Sequence, residues 1–152
     1  PERILQTDLK DISEAIRPAG YFNVKAIRLK HLATWWVEKA GWAADPTSPV
    51  EEIRKALLEV KGVGPETADS ILLYAWGKPI FVVDAYTRRI LARHRLIQPD
   101  ASYAEIQETM MAALPEDVNV FNEYHALLVR LAKEYCRTSP QCQGCPLAPP
   151  PA

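Results

Sequence analysis

The chain has no surplus of positive charge. Its 18 Lys and Arg stand against 19 Asp and Glu, a formal net charge of −1, so no global basic field of the histone-like kind surrounds it. Long apolar runs are missing too, since none approaches the roughly 20 residues needed to span a bilayer. Nor does Pro1-Glu2-Arg3 open a secretory signal, and a cytoplasmic location with no membrane partner is the expectation. No internal repeat of the solenoid kind is seen. Cysteine is scarce, and the three present, Cys136, Cys142 and Cys145, fall in one short segment near the end. Such clustering suggests metal more than disulfide.

What is present is an apolar share of 48% over 152 residues, enough for one domain with a core and too little for two large ones. The near-neutral total hides local concentrations of charge. Asp84 to Arg95 carries Arg88, Arg89, Arg93, His94 and Arg95 against one carboxylate, and Lys25, Arg28, Lys30 and His31 form a second basic cluster. A solvated surface is the bland explanation of either.

Apolar residues recur at helical spacing over most of the chain. Leu5, Leu9, Ile12 and Ile16 predict a helix over 4–17, and a second is predicted over 22–40 with Gly41 as its stop. Further helices are expected at 50–59, 65–76, 103–114 and 117–135, with a basic helix after Asp84. Ile80 to Val83 has strand propensity but no partner run, so an extended buried linker is expected. The pattern is all-α, a bundle of about seven helices. The division expected is a helical core at 1–135, a cysteine loop at 136–147 and a Pro-rich tail at 148–152, extended or disordered.

The most informative stretch is Lys61-Gly62-Val63-Gly64-Pro65, between one apolar helix and the next. Two glycines permit a tight reversal, and proline suits the first position of the following helix. Backbone N–H groups at such a hairpin point outward and suit a phosphate. Twenty residues beyond Gly64, Asp84 stands at the head of the basic helix. An aspartate there is ordinarily an N-cap.

Hydrophobe-x-GVG-x-x-TA, an apolar helix, then VVD and a basic helix resembles the helix-hairpin-helix (HhH-GPD) signature of the endonuclease III superfamily of DNA glycosylases. Upstream, IRPAGYFNVKAIRLKHL resembles the IxxxGxxxxKAxxL segment that precedes the hairpin in those proteins. The resemblance implies a helix-hairpin-helix glycosylase fold and double-stranded DNA with a damaged base or abasic site as partner, bound by a monomer in base excision repair. It implies phosphate contacts at Gly62, Val63 and Gly64, supplemented by Lys61 or Thr67, with Arg88 and Arg89 on flanking phosphates. It also makes Asp84 the catalytic carboxylate, with capping as a compatible second role.

Glu66 is the informative departure. It lies 18 positions before Asp84, where bifunctional members carry the lysine that forms a Schiff base, and a glutamate cannot form an imine. The slot resembles the monofunctional 3-methyladenine branch, which removes alkylated bases. The bland alternative for Glu66 is a first-turn acid favoured by the helix dipole. Two rival expectations stand beside this one: a non-catalytic DNA-binding module, and a bifunctional lyase using another lysine.

Cys136, Cys142 and Cys145 resemble three of the four [4Fe-4S] ligands of endonuclease III; the fourth place, six residues on, is Pro151. A cluster here would need a non-cysteine group or an external thiol as its fourth ligand; three free thiols, or a Cys142–Cys145 disulfide, are the alternatives. Trp35, Trp36, Trp42 and Trp76 are expected in the core. The resemblance covers residues 4–147 and begins after the segment that opens the relatives, including a helix that enters the space left by the flipped base.

Overall fold

The computed structural model describes residues 1–148. Eight α-helices run through them and no strand forms among the described residues, as the apolar spacing implied. The chain divides into two compact units, one of residues 1–68 and one from Asp69 onward.

In the first unit, α1 (Glu2–Gln6) and α2 (Leu9–Ala15) both pack on the long α3 (Phe22–Ala44). The single helix expected over 4–17 is thus two. Thr7 turns its hydroxyl back onto Arg3 O at 2.7 Å, its backbone goes extended, and Asp8 begins the next helix from an extended conformation. Thr and Asp compete locally for backbone hydrogen bonds, which is why both favour helix ends.

The predicted stop at Gly41 does not occur either, because α3 continues to Ala44 and buries Ala43. What ends it is Pro46. A residue before proline is pushed out of the helical region, and Asp45 has ψ 125°, with its carboxylate taking the Thr47 N–H at 2.8 Å. α4 (Val50–Leu58) then buries Ile53 and Leu57.

The hairpin joins α4 to α5 (Pro65–Ser70). Val60 and Val63 are buried on either side of its turn while Lys61, Gly62 and Gly64 are exposed. Gly62 has φ +95°, and a Cβ there would collide with the aliphatic stem of Arg28, so only glycine fits. His31 Nδ1 lies 3.0 Å from Lys61 O and ties the turn to α3.

In the second unit, the continuous α-helix expected to Trp76 widens into a π-helical segment, Ile71–Ala75. Leu72 and Leu73 are buried but Tyr74 is half exposed, so this stretch is not apolar-buried all round. Lys78 N–H closes it on Leu72 O at 2.9 Å. Ile80 to Val83 follow as the buried extended linker expected. Then come α6 (Ala85–Arg93), α7 (Tyr103–Ala113) and α8 (Val118–Glu134); α8 packs on both α6 and the π segment.

Ser102 and Glu105 form a capping box that starts α7. None of the four tryptophans is fully buried, and Trp42 is 38% exposed; an indole is too large to be wholly enclosed easily. The expected tail at 148–152 lies outside the described residues apart from Ala148. Among the described residues no helix is long and apolar enough to cross a membrane.

Candidate active site

Asp84 stands where the buried linker ends and α6 begins. Its Oδ1 accepts the Thr87 N–H at 2.7 Å, so it is the N-cap of α6. The cap holds one oxygen only. Oδ2 faces His125 Nε2, on α8, at 3.6 Å, with the two side chains 13% and 14% exposed respectively. On the far side of the imidazole, Nδ1 and the Tyr74 hydroxyl are 2.6 Å apart.

Burial pushes the Asp84 carboxyl up, but the polar contacts with His125 and Thr87 outweigh it and hold the group below the ordinary aspartate value of 3.8. It is a carboxylate at neutral pH. Tyr74 moves the other way: burial first, then the charge of Asp84, raise its phenol above 10.0.

A second layer fixes the linker that carries Asp84. Asp69, fully buried, accepts the Tyr103 hydroxyl and the Gln107 amide, each at 2.7 Å. Gln107 also donates to Phe81 O at 2.6 Å, and Val83 N–H reaches Tyr103 Oη at 3.3 Å. The Phe81 ring meets Phe121 edge-on at 5.7 Å and His125 at 6.4 Å. The backbone on both sides of Val82 is therefore held by side chains from α7, and the ring of Phe81 by α8. Tyr74, Asp69, Tyr103, Gln107 and His125 were not among the sequence candidates. His125 shows in the sequence only as a polar residue on the apolar face of α8.

The expected DNA contacts fall in different surroundings. Lys61, Gly62, Gly64, Glu66 and Thr67 are exposed on the hairpin and the first turn of α5, whereas Val63 is buried and its N–H is taken by Val60 O at 2.9 Å. Arg88 and Arg89 are half-buried on α6. Arg88 donates to Ala101 O, and Arg89 Nε to Cys136 O at 2.8 Å.

Arg93 reaches Cys136 Sγ at 3.3 Å and Thr138 O at 2.7 Å. Two arginines of α6 thereby hold the cysteine loop. Cys136, Cys142 and Cys145 are free thiols, so the Cys142–Cys145 disulfide is not formed. No three His, Cys, Asp or Glu side chains gather to hold a metal among the described residues, and an iron–sulfur cluster of this type takes four cysteines. Cys136, Cys142 and Cys145 would supply three of those four ligands, and the fourth would come from a non-cysteine group or an external thiol.

A carboxylate kept ionised and held on a rigid helix start is suited to stabilising positive charge that develops beside it. The family model described as HhH-GPD superfamily base excision DNA repair protein matches residues 1–116. The chain belongs to this superfamily. It is 43% identical over 148 residues to a Methanocaldococcus jannaschii protein named "Putative DNA repair glycosylase", covering 95% of this chain and 67% of that one.

The HhH-GPD chain also matches a solved non-covalent endonuclease III–DNA complex with a TM-score of 0.78 at 26% identity, over 97% of this chain and 65% of the other. The H. pylori 3-methyladenine DNA glycosylase bound to 1,N6-ethenoadenine gives a TM-score of 0.70 at 26% identity, over 88% and 66%. The fold is the endonuclease III helix-hairpin-helix fold that the motifs implied. The chain spans about two thirds of the length of these three relatives.

Proposed function

We propose that this HhH-GPD protein is a monofunctional DNA N-glycosylase of base excision repair that removes an alkylated base from duplex DNA. The observation that carries the reading is Asp84: an ionised carboxylate locked as an N-cap through one oxygen, at the position the family motif reserves for the catalytic aspartate. Cleavage of an N-glycosidic bond leaves oxocarbenium-like positive charge on the sugar, and a fixed carboxylate beside the anomeric carbon stabilises it. The base of the flipped nucleotide leaves with the electron pair of the broken C1′–N bond, water bonds to C1′ and gives up a proton that ends on the departing base, and the sugar remains in the strand as an abasic site.

Glu66 supports the monofunctional form because it stands in the slot of the lyase lysine and offers no amine. The likeness to a 3-methyladenine glycosylase supports an alkylated base as the lesion. The hairpin at Gly62 and Gly64 holds the strand through phosphate, a contact that positions without reading sequence.

Borohydride treatment of the protein with lesion DNA tests the monofunctional step. The reading expects no covalent adduct and strand breaks only after alkali. A trapped adduct, with breaks before alkali, would show a lyase working through another lysine.

A further inference from the structure

Tyr74 and His125 have no part in the bond cleavage itself, yet they stand directly behind its carboxylate. A neutral imidazole has one donor nitrogen and one acceptor, and the bond at one decides the other. Tyr74 binds at Nδ1, 2.6 Å away. Its phenol keeps its proton, because burial and then the charge of Asp84 raise it above 10.0, and so has an O–H to donate. The other ring nitrogen, Nε2, is buried, has no hydrogen-bond partner, and lies 3.6 Å from Asp84 Oδ2. An ionised carboxylate oxygen can only accept, so the ring hydrogen belongs on Nε2 and Nδ1 accepts from Tyr74.

The other surroundings of His125 do not compete for this proton. The linker presents the Phe81 ring, which carries no charge. On its own helix the charged residues lining the same surface depression as Tyr74 and His125 are Arg130, Lys133 and Glu134, and Arg130 is paired to Glu134 at 2.9 Å. The ionisable groups in direct contact with the imidazole are Tyr74 and Asp84.

Resting on the glycosylase reading above, we infer that Tyr74 and His125 are positioning residues for Asp84: Tyr74 selects the imidazole tautomer, and His125 turns an N–H toward Oδ2, keeping the carboxylate ionised and aimed. Thr87 secures one oxygen and His125 the other. The π-helical widening of Ile71–Ala75 has a use here, since it is the segment that presents the Tyr74 hydroxyl to α8.

The test is made on the full chain by two readouts. Nitrogen-15 shifts of the His125 ring report the tautomer, and carbon-13 shifts of the Asp84 carboxyl report its titration, in wild type, Tyr74→Phe, His125→Leu and His125→Gln. The expected results are an Nε2–H tautomer in wild type and a mixture in Tyr74→Phe. The Asp84 midpoint should move upward in His125→Leu and return in part in His125→Gln, whose amide can still donate.

Base release is measured alongside, with kcat about tenfold lower in His125→Leu and KM within about twofold. An Asp84 midpoint unmoved in His125→Leu, or an Nδ1–H tautomer in wild type, overturns the proposal. Should the shifts follow expectation while wild type releases no base, the glycosylase reading fails and the positioning role stands. Base release dependent on Asp84, with unmoved shifts, does the reverse.

Discussion

The Asp84 carboxylate caps α6 by accepting the Thr87 N–H at 2.7 Å through Oδ1 alone. Its structural and chemical roles therefore separate by oxygen atom, and a substitution can split them. Asparagine caps about as well as aspartate, so Asp84→Asn should leave stability within about 0.5 kcal/mol of wild type, whereas Asp84→Ala should lose about 1 kcal/mol. Urea denaturation of the three proteins measures both. Equal losses in the two variants would mean that the charge, and not the cap, carries the stability.

The lowered Asp84 titration also sets a pH dependence of folding. A carboxyl whose folded value lies below its unfolded value adds stability that is present above the unfolded value, here 3.8, and is lost as pH falls through the folded value. Wild type should accordingly gain stability relative to Asp84→Asn as pH rises through about 4, with a constant gap above. Denaturation midpoints of both proteins from acid to neutral pH give the answer, and parallel curves would refute it.

The layer beneath the site is a stability matter. Asp69 is fully buried and accepts from Tyr103 and Gln107. Asp69→Ala removes both bonds and opens a void, for an expected loss of about 2–4 kcal/mol. A shift under about 0.5 kcal/mol in the unfolding free energy would show that Tyr103 and Gln107 hold the linker without it.

The two hairpin glycines should behave differently. Gly62 has φ +95° and the Arg28 stem against it, while Gly64 has open space around a Cβ and no positive φ. Gly62→Ala should cost about 1–3 kcal/mol in strain and displacement of Arg28. Gly64→Ala should fold as wild type and lose affinity for duplex DNA, because the added methyl stands where a phosphate would approach. Calorimetry and a binding titration at fixed salt separate the two effects. Undiminished DNA binding by Gly64→Ala would remove the hairpin from the proposed interface.

Much of this fold was legible because its signals are local. The GVG-Pro turn, the apolar linker at Ile80 to Val83 and the aspartate opening a basic helix each declare themselves within a few residues. Helix ends were read less well where two signals competed: Gly41 looked like the stop of α3, but Pro46 sets it through the conformation forced on Asp45. The α6 arginines illustrate a different limit. Arg89 and Arg93 read as a basic surface, and their partners turn out to be carbonyls of the cysteine loop more than 40 residues on. Tyr74 and His125 were out of reach for the same reason, being 51 residues apart and brought together across a π-helical segment that no periodicity announces.

Base release from duplex DNA carrying 3-methyladenine, by wild type and by Asp84→Asn, tests most directly the proposed role of Asp84 in hydrolysis of the N-glycosidic bond. The account predicts free base and alkali-labile sites from wild type and a loss of at least about 100-fold in the variant, with DNA binding retained. Full base release by Asp84→Asn would contradict it.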